Sequence, residues 1–243
     1  MTRLNENGIE LSVVIPSYNE EKRLEAGLRQ ALEYLGRRGI PYELLVVDDG
    51  SRDRTAELAA AFADKGVRVL RHERNRGKGA AVRTGVLASC GRKVLLSDAD
   101  FSTPIEELEK LERHLQDGTP LVIGSRGLAD SQIRQRQPFY REMMGKTFNR
   151  LIRIFGVRGI RDTQCGFKLV RGDVGRSLCA ELKIDGFAWD VELIWLTRRR
   201  GYRVAEVGVL WINSPDSRVD PIRSSISMLR DVLLMRFRHR GSR

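Results

Sequence analysis

Two carboxylates one residue apart, Asp98 and Asp100, follow the run Val94-Leu95-Leu96-Ser97, and Thr103-Pro104 opens a helix just beyond them. A strand that delivers paired acids to its C-terminal edge suits a hard divalent cation. Mg²⁺ or Mn²⁺ takes one or two such carboxylates and fills its remaining sites with water and phosphate oxygens. The chemistry this pair supports is metal-assisted reaction at a diphosphate, although acids in this position also cap helices. Three further polar clusters lie in loops, two of them directly after apolar runs. Pro16-Ser17-Tyr18-Asn19-Glu20 follows an apolar run, Asp48-Asp49-Gly50-Ser51 follows another, and Lys78 sits in Arg76-Gly77-Lys78-Gly79. The lysine turn is not a phosphate loop of the Walker type, because Gly79 stands where that motif needs Ser or Thr and no glycine lies five residues before Gly77.

The elements that must position these groups alternate in type. Leu11 to Ile15 reads as a strand, and Leu24, Leu28, Ala31, Leu32 and Leu35 recur at helical spacing up to Gly36. Glu43 to Val47 is a second strand, followed by a helix marked by Thr55, Leu58, Ala59 and Phe62. Val67 to Leu70 is a third, and a helix through Ala81, Val82, Gly85 and Val86 comes after it. The acid pair ends the fourth strand, a helix runs from Pro104 to about Leu115, and Leu121 to Gly124 is the fifth strand. This alternation predicts an α/β fold with a Rossmann-like, mostly parallel central sheet flanked by helices. Right-handed crossovers then place every loop after a strand on one edge, where ligands bind in such sheets.

With 243 residues and 41% hydrophobic side chains the chain can bury a large core. It contains no apolar run of the roughly 18 to 20 residues that would span a bilayer, and its first residues lack a signal peptide's pattern, so a cytoplasmic setting is expected. Cys90, Cys165 and Cys179 are far apart and lack metal-ligand spacing, which suits reduced thiols in or near the core. The formal charge of +11 favours an anionic partner. A nucleic-acid-binding module would account for that charge. It gives no reason for acids at the strand ends, which would repel phosphates unless a metal intervenes.

Beyond residue 125 the composition shifts. From Arg126 to Arg161 there are nine Lys or Arg against only Asp130 and Glu142, interleaved with apolar residues at helical spacing. Arg126, Arg134, Arg136 and Arg141 lie before or at the start of that helix, where they can grip an anion. Residues 162–170 and 203–212 read as extended segments, flanking a helix from about Ala188 to Arg200 that carries Asp190 and Glu192 near its start. From Pro221 onward Ile222, Ile226, Leu229, Val232, Leu233 and Phe237 repeat at helical spacing, with six Arg against Asp231 alone. Such a helix can lie in the headgroup layer of an anionic membrane, or pack on the domain or on a second subunit. The division expected is a catalytic domain over 1–217, with halves of about 9–125 and 126–217, and a basic amphipathic helix over 218–243.

Val13-Val14-Ile15-Pro16-Ser17-Tyr18-Asn19-Glu20-Glu21, Val46-Val47-Asp48-Asp49-Gly50-Ser51, Asn75-Arg76-Gly77-Lys78-Gly79 and Asp98-Ala99-Asp100, in that order and spacing, resemble the family 2 inverting glycosyltransferases of GT-A fold. Val122-Ile123-Gly124-Ser125-Arg126 and Asp162-Thr163-Gln164-Cys165-Gly166-Phe167-Lys168 resemble the branch that glycosylates polyprenyl phosphates. Thr103-Pro104-Ile105 with Glu106 and Glu107 is most similar to dolichyl-phosphate glucosyltransferases. The resemblance implies that Pro16, Tyr18, Asn19, Glu20, Asp49, Lys78 and Asp98 bind the nucleotide sugar, with Asp49 on the base. It implies Asp98 and Asp100 as ligands of Mg²⁺ or Mn²⁺, with Ser102 at a position where relatives can carry another oxygen ligand. Asp100, Asp190 and Arg126 become the catalytic candidates, and Arg126, Arg134, Arg136 and Arg141 hold the acceptor phosphate. The implied reaction is inverting transfer of a hexose from a nucleotide sugar to a polyprenyl phosphate by a peripheral protein at the cytoplasmic membrane face. UDP-glucose leads over GDP-mannose and UDP-N-acetylglucosamine as donor, and a soluble or polysaccharide hydroxyl acceptor is the alternative. A hydroxyl acceptor would need Asp190 as a base. A phosphomonoester, with a second pKa near roughly 6, is already largely a nucleophilic anion at neutral pH.

Overall fold

The computed structural model describes residues 8–134, 157–212 and 221–240, the side chains of 221–224 apart. Seven strands form one sheet. In chain order they are β1 (Leu11–Ser17), β2 (Tyr42–Asp48), β3 (Val67–Arg71), β4 (Lys93–Leu96), β5 (Leu121–Ser125), β7 (Lys168–Arg171) and β8 (Val204–Gly208). Their spatial order is β3-β2-β1-β4-β7-β5-β8. β1, β2, β3 and β4 pair in parallel, as do β5 and β8, while β7 enters antiparallel to both β4 and β5. Two short strands, β6 (Gln132–Arg134) and β9 (Leu210–Ile212), pair in parallel beside it.

The central strands are apolar throughout because both faces of the sheet are covered. Val14, Leu45 and Val47 point to one face, against α3 (Lys78–Ala88), α5 (Gly172–Glu181), α6 (Trp189–Arg199) and the terminal helix α7 (Pro221–Arg238). Val13, Ile15, Leu44 and Val46 point to the other, against α1 (Leu24–Arg38), α2 (Thr55–Ala60) and α4 (Leu108–Glu112). Helix α1 closes on Gly39, whose φ of 62° is left-handed, after Arg37 and Arg38 in its last turn. In α3, Gly85 lets the helix backbone approach the sheet so closely that a Cβ there would lie 2.3 Å from Val14 Cγ1.

The structure departs from the sequence pattern in three places. The helix expected from Pro104 to about Leu115 is a 3-10 turn at Ile105–Glu107 followed by the short α4, and the buried Glu107 accepts a bond from Leu210 N at 3.1 Å. Only the end of the extended 162–170 segment joins the sheet, as β7. Helix α5 went unread because Gly172, Asp173, Gly175 and Ser177 are weak helix formers. The basic amphipathic helix expected before Arg161 falls largely outside the described residues. Cys165 and Cys179 are buried and unpaired, and Cys90 is unpaired and partly buried.

Candidate active site

The C-terminal ends of β1, β2 and β4 and the N-terminus of α3 surround a cavity of about 560 Å³. Pro16, Tyr18, Asn19, Glu20, Asp49, Lys78, Asp98 and Asp100 all line it. Loops separated by more than 80 residues of chain therefore meet as their sheet edge requires. Asn75, the first residue of the motif that carries Lys78, also lines it, as do Arg23 and Phe187, which lie outside the quoted motifs.

The loops after β1 and β2 are latched to each other. Asn19 N donates to Ser51 Oγ at 2.9 Å, Glu20 N to Thr55 Oγ1 at 2.7 Å, and Arg52 N to Asn19 Oδ1 at 2.9 Å. Asn19 adopts a φ of 55°, a left-handed conformation that asparagine tolerates better than most residues. Asp49 is buried. Its carboxylate accepts Arg76 N at 2.9 Å and Gly77 N at 2.8 Å, and it lies 2.6 Å from His72 Nδ1. It thus anchors the turn that starts α3 as well as facing the cavity. Gly77, at φ 106°, lies against the 185–186 backbone, where a Cβ would stand 2.3 Å from the Asp185 carbonyl oxygen.

The cavity floor holds acid–cation pairs. Lys78 Nζ lies 2.5 Å from Asp98 Oδ1, and Arg23 joins Asp100 at 3.0 Å and Glu20 at 2.7 Å. Burial alone would raise the Asp98 pKa, but the Lys78 ammonium, with Lys168 and Arg126 farther off, holds it below the ordinary carboxylate range. Burial would likewise lower Lys78, and Asp98, Asp190 and Asp100 raise it instead. Glu20 is pushed up, chiefly by burial, against the opposing pull of Arg23. The turn itself is fixed by Ser102 N donating to Asp100 Oδ1 at 3.0 Å, and by Phe101, at φ 45°, whose ring packs over Gly27. Ser102 is buried and lies outside the cavity lining. Among the described residues no group of three or more His, Cys, Asp or Glu side chains gathers to hold a metal. The donor set facing the cavity is two hard carboxylates, which fits a divalent ion that draws its other ligands from phosphate and water.

On the other side, Arg126 follows β5 and pairs with Asp162. Its Nε and NH2 bond Asp162 at 2.7 and 3.0 Å, its N–H bonds Asp162 Oδ2 at 3.0 Å, and its guanidinium lies 5.6 Å from the Trp211 ring centroid. Burial works against both charges, yet the pair raises Arg126 and brings Asp162 down to about 2. Asp190, the second residue of α6, is 5% exposed and is not among the cavity's lining residues. Burial pushes it up to about 6, with Lys168 and then Lys78 opposing. Arg134 is exposed in β6, while Arg136 and Arg141 lie outside the described residues. The expected site is thus gathered on its donor side. Arg126 and Asp190, expected to act on the acceptor, are not among the residues that line the cavity.

A doubly covered, mostly parallel sheet with a paired-acid edge is the architecture of a GT-A-type fold. The glycosyl transferase family 2 model matches residues 12–175, and the chain belongs to that family. It is 40% identical to a dolichyl-phosphate beta-glucosyltransferase of Mus musculus and 38% identical to that of Homo sapiens, each match covering 95% of this chain and 76% of the relative. Among solved structures, the mannosyl-3-phosphoglycerate synthase of Rubrobacter xylanophilus superposes with a TM-score of 0.71 at 24% identity, over 97% of this chain and 76% of that one. The glucosyl-3-phosphoglycerate synthase of Mycobacterium tuberculosis, solved with Mn²⁺, UDP and phosphoglyceric acid, does so with 0.69 at 22%, over 98% and 80%. These two likenesses establish the fold.

Proposed function

We propose that this enzyme transfers glucose from UDP-glucose to a dolichyl or other polyprenyl phosphate with inversion at the anomeric carbon. The observation that carries the reading is the one cavity holding Asp98, Asp100, Lys78 and the latched β1 and β2 loops, in a chain 40% and 38% identical over 95% of its length to two dolichyl-phosphate beta-glucosyltransferases. Pro16, Tyr18, Asn19 and Glu20 bind base and ribose, and Asp49 contributes while anchoring the α3 turn. Asp98 and Asp100 would hold Mg²⁺ or Mn²⁺, which when bound neutralises charge growing on the departing diphosphate. Lys78 and Arg23, already paired with those acids, bring cationic charge to the same place. The acceptor phosphate attacks the anomeric carbon from the opposite face, held by the basic side that includes Arg126, Arg134, Arg136 and Arg141. Because that phosphate is already anionic, Asp190 orients rather than deprotonates.

The lipid acceptor calls for a membrane contact, and we assign it to α7 at the cytoplasmic face, appended to a catalytic domain over 1–217. Met228, Val232 and Met235 pack inward, whereas Ile226 (67% exposed), Leu233 and Phe237 share the opposite stripe. Exposed Arg230 and Arg236 flank that stripe and Arg240 follows the helix, a pattern suited to anionic headgroups. Helix α7 also lies beside the cavity mouth, since a Cβ on Gly186 would come within 3.6 Å of Asp231 Oδ2. No described helix is long and apolar enough to cross a membrane.

A panel of UDP- and GDP-sugars with Mg²⁺ or Mn²⁺, with and without polyprenyl phosphate, tests the reading. Lipid-linked glucose formed from UDP-glucose is the expected result. Transfer to a hydroxyl acceptor without lipid, or a preference for GDP-mannose, would replace it.

A further inference from the structure

A buried amine lies under the cavity. Lys168 opens β7, and its side chain is 0% exposed. Water cannot solvate an ammonium there, so neighbouring oxygens must. Its Nζ donates to the Cys165 carbonyl, stands 3.8 Å from Asp190 Oδ2 and lies 5.3 Å from the Trp189 ring centroid. Trp189 and Asp190 are the first two residues of α6. Cys165 belongs to the loop whose next residue, Gly166, packs on the Asp98 carboxylate. One ammonium therefore ties the start of α6 to the loop beneath the acid pair. A buried charge is weak as a source of stability, because an apolar side chain of similar volume often does as well or better.

We propose that Lys168 is a positioning residue for the transfer reaction: its ammonium holds the Asp190 carboxylate and pins the first turn of α6 to the loop under Asp98. The inference rests on the transferase reading above. Lys168 and Lys78 are the cations that face Asp190, Asp162 is the acid, and Val191 N donates to Asp190 Oδ1 at 2.8 Å. Burial pushes Asp190 up to about 6, and of the groups opposing it Lys168 is the foremost. Without Lys168, Asp190 would hold its proton to higher pH and would lose its partner.

The test compares wild type, Lys168→Met, Lys168→Gln, Lys168→Arg, Asp190→Asn and the Lys168→Met/Asp190→Asn double variant. Carbon-13 NMR of protein labelled at the aspartate carboxyls reads Asp190 directly, its signal identified by its loss in Asp190→Asn. Its midpoint should rise by about one pH unit or more in Lys168→Met and Lys168→Gln, and Lys168→Arg should restore most of the shift. In the transfer assay Lys168→Met should lower kcat about 30-fold while changing KM for UDP-glucose less than about threefold, and should cost less than about threefold more in the Asp190→Asn background. An unmoved midpoint, or equal losses in both backgrounds, overturns the proposal. Should Lys168→Met fail to fold, Lys168→Gln, which keeps a donor without the charge, carries the same expectation. The NMR arm needs no substrate, so failure of the transferase reading would show separately, as absent transfer with the Lys168–Asp190 coupling intact.

Discussion

Replacing Gly166 by alanine should disable the site while sparing the fold. A Cβ at Gly166 would lie 2.2 Å from Asp98 Oδ2 and 2.4 Å from its Cγ and Oδ1, against an ordinary contact of 3.4 Å or more. Gly166 has no left-handed φ, so alanine suits its backbone, and the atoms in the way end a side chain that is 39% exposed. The carboxylate should therefore yield by about 1.2 Å while the core stays put. That movement breaks the 2.5 Å contact with Lys78 and displaces a carboxylate of the proposed donor site. A misplacement of about 1 Å at a reacting centre costs on the order of 100-fold in rate. The expected result is a kcat/KM for UDP-glucose down about 100-fold, with global stability changed by less than about 1 kcal/mol. Gly36→Ala serves as the control. That glycine lies in α1 with nothing within 4 Å of its added Cβ, so alanine should stabilise by roughly 0.5–1 kcal/mol and leave transfer unchanged. Transfer by Gly166→Ala within about threefold of wild type, with intact stability, would refute the placement of Asp98 at the reacting diphosphate.

Asp100→Ala should abolish turnover and leave the circular dichroism spectrum and the melting transition near wild type, because Arg23 keeps Glu20 as its partner. Arg126→Ala strands the buried Asp162 and should cost about 3 kcal/mol or more in urea unfolding. The same pair sets an acid limb. The folded-state Asp162 pKa is depressed from 3.8 to about 2, so its contribution is complete above about pH 4 and is lost as pH falls toward 2. Stability measured across that window should fall less steeply in Arg126→Ala than in wild type. His239→Ala should destabilise by about 2 kcal/mol or more, since His239 Nε2 meets Glu192 Oε1 at 2.6 Å in a fully buried pair that ties the end of α7 to α6. Proteolysis should then cut within α7 first.

The rim of the site was legible because each polar cluster interrupts an apolar run, and alternating strands and helices force those interruptions onto one edge. Pro16 to Glu20, Asp49, Lys78, Asp98 and Asp100 follow from that logic. Arg23 was not legible, because in Glu20-Glu21-Lys22-Arg23 it reads as a solvated charge near a helix start, and its partner Asp100 lies 77 residues away. The commitment of Arg126 to Asp162 and the burial of Lys168 depend on β7 running antiparallel between β4 and β5. Local pattern does not encode that insertion. Gly166 carried a signal only in its type, and its reason, close approach to Asp98, needed coordinates.

The polar residues of the β1 and β2 loops admit two explanations, a turn that satisfies its own backbone and a surface that binds a ligand, and here the two coincide. Asn19 spends its backbone N–H on Ser51 and its side-chain oxygen on Arg52 N, so much of its chemistry serves the latch. Asp49 spends its carboxylate on Arg76 N, Gly77 N and His72. Neither is thereby removed from function, because both still face the cavity. Groups already fixed by bonds within the protein lose little conformational freedom when a ligand arrives, and that saving appears as affinity. The latch also holds Glu20, whose N–H is bonded to Thr55, at the point where its carboxylate grips Arg23 and Arg23 in turn grips Asp100. Loop order set by β2 is in this way passed through one guanidinium to the acid that ends β4. Three motifs far apart in the sequence are thus joined by one set of bonds around one cavity.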